Sequence, residues 1–131
     1  DMLYYSLLSV SFSKLGKDVS DSSVAISKGD YNTAQSEADN AINSVNDYYT
    51  KVSKYTISAD AKTLSDKVDP VMSKYKSSME YTKQAINAHQ NGDTSLETDF
   101  TLKAMNEMTD ANIAISELNL EIAERIQKNS K

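Results

Sequence analysis

The chain has 131 residues, a formal net charge of −5, three glycines, a single proline and no cysteine. That length makes one domain able to bury roughly two-thirds of its unfolded surface, and the scarcity of turn residues favours long helices over sheets. The acidic balance excludes a nucleic-acid binder built on clustered Lys and Arg, and the absence of Cys excludes disulfides, thiolate nucleophiles and Cys-ligated zinc.

The spacing predicts a first helix from about Met2 to Lys28. Its seam is Tyr5, Leu8, Phe12, Leu15, Val19, Ser22 and Ile26, in alternating steps of three and four residues. Gly16 falls inside it at a cost of about 1 kcal/mol against Ala, which a closely approaching neighbour helix would explain. Lys28-Gly29-Asp30-Tyr31 then reads as a tight turn. Glycine takes the left-handed conformation that ends a helix, and aspartate caps the next.

A second helix, from Asp30 to about Tyr55, carries Tyr31, Ala34, Ala38, Ala41, Val45, Tyr48, Val52 and Tyr55. The alanine half admits a close partner; the tyrosine half predicts a wider bundle. Residues 56–60 form the connection, with Ser58 or Asp60 as N-cap. The third helix carries Leu64, Val68, Met72, Tyr75, Met79, Thr82, Ile86 and His89. Pro70 lies within it, either as a kink or as the first residue after an Asp69 cap. A kinked continuous helix is favoured, because Leu64 and Val68 already fit the seam. Asn91-Gly92-Asp93-Thr94 repeats the turn. The fourth helix runs to about Gln127 through Leu96, Phe100, Ala104, Met108, Ala111, Ile115, Leu118, Ile122 and Arg125. Lys128 to Lys131 reads as a frayed tail.

The two Gly-Asp turns stand 63 residues apart, at 29 and 92. Two turns give two αα-hairpins, and two hairpins give an all-α, antiparallel up-down-up-down four-helix bundle. The expectation is a single domain over 1–131, with one hairpin over 1–56 and the other over 61–131. Both tips then lie at one end, and the termini with the connection lie at the other. Superposed at that offset, Ala25 falls on Ala88, Phe12 on Tyr75, Ala41 on Ala104, Ile42 on Met105 and Val52 on Ile115.

No motif carries catalytic chemistry, so the chain reads as a non-enzyme without cofactor or metal. His89 is the sole histidine, which rules out a di-iron carboxylate bundle. It has no obvious orienting acid, and it reads as a partly exposed residue at a helix C-terminus. Met72, Met79, Met105 and Met108 read as core fillers. Glu117, Glu121 and Glu124 read as a solvated face, partly neutralised by lysines of adjacent helices. Two groups can carry binding. Ser22, Thr82 and His89 are polar seam residues near the tips that can line an interhelical pocket for a small ligand. Tyr4, Tyr5, Tyr48, Tyr49 and Tyr55 gather at the other end. Adjacent pairs cannot all face inward, so some are expected to be exposed as a protein-interaction surface, with Tyr4, Tyr48, Tyr49 and Tyr55 its candidates.

Gly29-Asp30-Tyr31-x-x-Ala34-x(6)-Ala41-Ile42 resembles the inner turn and second helix of a tetratricopeptide repeat. Helices of ~26 residues are about twice that family's length, however, and its 34-residue period is missing. Long helices with both termini at one end and tight Gly-Asp tips at the other resemble the extracytoplasmic sensor domains of chemoreceptors and histidine kinases. That resemblance implies a membrane tether outside this chain, a ligand between helices or at a dimer interface, and signalling by a shift of helix 4 against helix 1. A homodimer through helix 1 or helix 4 suits the same frame. The rival expectation is an exported or anchored structural or protein-interaction module. No apolar run reaches the ~20 residues of a membrane span. The surface rich in Ser, Asn, Thr and Asp, with a chain that begins at Asp1, gives the expectation of an extracytoplasmic protein from which a leading segment is removed.

Overall fold

Four helices make up a computed structural model that describes residues 1–129: α1 (Met2–Ser27), α2 (Tyr31–Val52), α3 (Ala59–Gln90) and α4 (Thr94–Asn129). No strand occurs among the described residues. The two tips are built alike. Gly29 and Gly92 have φ of 73° and 74°. In the first tip the Gly29 amide donates to Ile26 O at 3.0 Å and the Asp30 amide to Ala25 O at 2.9 Å; in the second, Gly92 donates to His89 O at 3.1 Å and Asp93 to Ala88 O at 2.9 Å. These pairs satisfy the last carbonyls of the ending helix, as a left-handed glycine permits. The same aspartates start the next helix. Asp30 Oδ1 accepts from the Thr33 amide at 3.2 Å and Asp93 Oδ1 from the Leu96 amide at 3.1 Å. The Thr33 bonds hold the Asp30 carboxyl below its ordinary range.

The helices pack as an antiparallel four-helix ring. The tightest contacts lie within the hairpins α1–α2 and α3–α4, α2–α3 joins them, and α1–α4 is the thinnest seam. Each hairpin is pinned in register by a buried serine. Ser22 Oγ donates to Ala34 O at 2.9 Å, and Ser78 Oγ donates to Ala104 O at 2.8 Å, the second bond one heptad farther from its tip. Alanine is the acceptor residue in both, since a larger side chain would hold the backbones apart. The other end closes as the turn placement requires. The Asp1 carboxylate accepts from the Ser58 amide at 2.9 Å and from the Ser58 hydroxyl, and Arg125 reaches Asp60 at 2.6 Å.

The periodicity identifies most of the core, and the main departures have local causes. Ile26 is exposed and Ala25 is buried in its place, in the small cluster with Ala34 and Ile86 at the tip. Met105 is 59% exposed rather than a core filler, whereas Met72 and Met79 are buried. Helix α2 stops at Val52, so Tyr55 lies in the connection. Pro70 sits on the exposed side of an uninterrupted α3, where the amide it lacks would have served Asp66 O. Helix α4 runs on through Lys128 and Asn129, which were expected to fray; Ser130 and Lys131 lie outside the described residues.

Gly16 corrects a specific expectation. It is exposed, and a Cβ built on it meets nothing within 4 Å, so no neighbour helix approaches there. Gly16→Ala should therefore stabilise the fold by about 0.5–1 kcal/mol, through reduced backbone entropy of the unfolded chain. Gly29→Ala and Gly92→Ala should each destabilise by about 1–2 kcal/mol, because alanine is strained at positive φ. Thermal denaturation followed by circular dichroism measures both, and the two signs must be opposite.

Candidate functional site

The apolar interior is not continuous along the bundle. A large core fills the base and middle, from Tyr4, Tyr5 and Tyr48 up to Met79. A second, small cluster of Ala25, Ala34 and Ile86 closes the tips, with Tyr31 packed on it. Between the two lies a cavity of about 230 Å³ that opens through the thin α1–α4 seam and has α3 as its floor. This is smaller than the ~300–1,000 Å³ of drug-sized pockets. Val19 and Ile26 form one wall, Met105 and Met108 the other, and Ala85 and Ile86 belong to the floor.

Its acid and its histidine lie together at the tip end. His89 Nδ1 lies 2.6 Å from Glu97 Oε1, across the tip from α3 to α4. The Tyr31 ring packs on the imidazole with centroids 4.4 Å apart and planes tilted by 37°. The sole histidine thus has an orienting acid after all. Linear spacing hid it because His89 and Glu97 are brought together only by the reversal at Gly92. Hydroxyls of Ser23, Thr82 and Thr101 also reach the lining, and Thr82 Oγ1 donates to Ser78 O at 2.9 Å.

Of the three polar seam residues predicted to share a pocket, Thr82 and His89 do line this one. Ser22 does not: it is buried against α2, where its hydroxyl is spent on Ala34 O, and Ser23 takes the place facing the groove. Glu97, Tyr31 and Met105 were missed. The first and last stand off the seam of α4 and carry no periodic signal. Tyr31 could have been found as a seam residue facing the end of α3.

The tyrosine group resolves differently. Tyr4 and Tyr48 are each 1% exposed, and their hydroxyls share a hydrogen bond of 3.0 Å. Tyr5 is also buried. Adjacent residues 4 and 5 can both face inward because α1 has a neighbour on each side, α2 and α4, so its buried arc is wide. Tyr49 is half-buried and donates to Asp69 O at 3.2 Å, and Tyr55 packs its ring on the base of the core. Tyr4 and Tyr48 therefore cannot form the exposed surface expected of them. Burial raises the Tyr48 and Tyr4 phenols above the ordinary tyrosine value, for Tyr48 strongly.

Beside them, Arg125 joins the two helices of the second hairpin. Its guanidinium donates to Asp60 and to Glu121 Oε1 at 2.9 Å, and Lys67 reaches Glu121 at 3.2 Å. The Arg125 bond is the main reason that the Glu121 carboxyl lies below its usual range. Glu117 and Glu124 are exposed, as a solvated face requires. No cluster of His, Cys, Asp and Glu capable of holding a metal occurs among the described residues, and no helix there is long and apolar enough to cross a membrane.

The buried phenols make stability depend on alkaline pH. A folded-state pKa raised above the unfolded value of about 10 gives stability that is full below that pH and is lost as pH rises beyond it. Raising the pH past about 10 should thus unfold the bundle, with tyrosinate absorbance and loss of helical signal rising together. Tyr4→Phe/Tyr48→Phe should move that transition to higher pH; an unchanged midpoint would show that the buried pair does not set it.

No protein-family model matches the chain, and neither does any curated protein or solved structure.

Proposed function

We propose that this protein is a non-enzymatic, extracytoplasmic helical bundle that binds a small, largely apolar ligand in the groove between α1 and α4. The observation that carries the reading is the break in the core. A 230 Å³ space with apolar walls and a polar end lies at the thinnest helix–helix seam. Filling a bundle interior to uniform density needs only larger side chains, yet here Ala85 and Ala104 face the space. A ligand lodged between α1 and α4 bears directly on their spacing, since little else joins them. It would favour one packing of α4 against α1 over another, which is the shift that a sensor domain of the chemoreceptor and histidine-kinase type would transmit. The extracytoplasmic assignment is supported by the surface vocabulary of Ser, Asn, Thr and Asp.

A second reading, a protein-interaction module, is favoured by one observation. Leu102, Ile113 and Leu120 lie on a single outer face of α4 and are 54%, 61% and 70% exposed. Steps of 11 and 7 residues return to nearly the same side of a helix. Such a face is the one through which a homodimer or a partner helix would pack.

The groove is tested with 4-phenylbutan-1-ol, a neutral molecule with an apolar body and a polar head. It should bind at one site with a dissociation constant of roughly millimolar or tighter, shifting amide resonances of Val19, Thr82 and Met105. Thr82→Leu with Ala85→Leu should abolish those shifts while leaving helicity intact. Binding that survives in the filled variant, or shifts confined to the outer face of α4, would overturn the groove reading.

A further inference from the structure

The charge around the groove selects the head group of its ligand. Two side chains with ionisable groups face its polar end, His89 and Glu97, beside the Tyr31 ring. An ionised carboxylate only accepts hydrogen bonds, so with Glu97 ionised the hydrogen between His89 Nδ1 and Glu97 Oε1 is donated by the ring. In the neutral imidazole this leaves Nε2 as a lone-pair acceptor. Glu97 engages the ring through one oxygen, and its other oxygen adds a second acceptor. The Tyr31 ring, one face of which is stacked on the imidazole, adds π density beside them. The end of the groove thus offers acceptors and π density.

No Lys or Arg is among the residues that line it. Of the lysines on nearby turns, Lys28 is exposed at the first tip and outside the lining, and two others are engaged elsewhere. Lys83 is paired with Asp39 at 2.5 Å on the α2 side, and Lys103 lies over the Phe100 and Tyr81 rings at 5.6 and 5.9 Å. An anionic ligand would meet the Glu97 carboxylate with no lysine or arginine in the lining to offset it. A primary ammonium has three N–H donors for the acceptors and the ring, and an apolar body suits the Val19, Ile86 and Met108 walls.

We infer that the groove takes an organic amine: a cationic ammonium head held by Glu97, His89 and Tyr31, with a short apolar tail directed toward the Met79 end. The inference rests on the groove being a ligand site, and it adds the chemical class. Glu97 is the selective element, because it alone among these groups carries a full negative charge.

An isosteric series separates the two levels. 4-Phenylbutylamine, 4-phenylbutan-1-ol and 5-phenylpentanoate share one apolar body and differ in head-group charge. Titrated into the whole chain at neutral pH and followed by amide shifts, the amine should bind about ten-fold more tightly than the alcohol, and the carboxylate more weakly than either. Glu97→Gln should remove the advantage of the amine over the alcohol, and Tyr31→Leu should lower the amine's affinity several-fold. Circular dichroism establishes that each variant is folded, and Glu97→Asp, which keeps the charge, should retain part of the preference. Equal binding of amine and alcohol, an amine preference that persists in Glu97→Gln, or tighter binding of the carboxylate would overturn the amine assignment while leaving the groove as a site. If no member of the series binds, the groove reading itself falls, and the assignment with it.

Discussion

At each tip the amide of an aspartate reaches back to the carbonyl of an alanine five residues earlier, Asp30 to Ala25 and Asp93 to Ala88. That bond closes only when the glycine between them is left-handed. Everything above the base follows from it. The reversal is made in so few residues that the two helices must lie antiparallel and in contact from their first turns. Close contact in turn demands small residues, and alanine fills the buried positions of α2 nearest the tip: Ala34, Ala38 and Ala41. With the backbones that near, Ser22 and Ser78 can spend their hydroxyls on the facing helix rather than on their own preceding turn. Such bonds contribute about 1 kcal/mol net each, but leaving the hydroxyls buried and unpaired would cost more. They act mainly on register.

The base is organised by size instead. Tyr4, Tyr5 and Tyr48 take the place of the alanines there, and Tyr75 joins them at mid-bundle. Their bulk is apolar and their hydroxyls need partners, found in Tyr4–Tyr48 and in Tyr75 with Asn112 at 3.0 Å. Tyr5 Oη and Arg125 Nε are both shielded from solvent and not aligned for a hydrogen bond, yet the phenol still favours the charge of the guanidinium. The exposed Arg125–Asp60 pair ties the start of α3 to the end of α4, so the two long helices of the second hairpin are fixed at both ends.

Between an alanine-lined tip and a tyrosine-filled base the apolar interior breaks into two clusters, and the groove lies at that break. The first hairpin keeps its closeness, as the Ser22 bond requires. The slack falls on the α1–α4 seam, where neither a turn nor a cross-helix serine bond draws the helices together. Open space at this place is thus a consequence of how the two hairpins are built and joined. The polar end of the groove has the same origin. His89 is the residue whose carbonyl accepts the Gly92 amide, so the motif that ends α3 also fixes the imidazole next to the first turn of α4.

What the sequence by itself determined was everything governed by local chemistry. The Gly-Asp pairs announced the tips, the three-four spacing announced the seams of all four helices, and the 63-residue offset announced two hairpins of like construction. Phe12 and Tyr75, Ala41 and Ala104, all paired at that offset, are all buried. Tertiary structure decided what periodicity does not contain. A period gives the centre of a buried arc, but its width depends on how many helices surround it, which is why Tyr4 and Tyr5 are both inside. It gives a face, but not which of two neighbours that face meets, which is why Ser22 belongs to α2 and Ser23 to the groove. Gly16 carried a real propensity cost without any packing reason. The His89–Glu97 pair joins residues on opposite sides of a turn, and only the relative register of α3 and α4 brings one carboxylate rather than another to the ring.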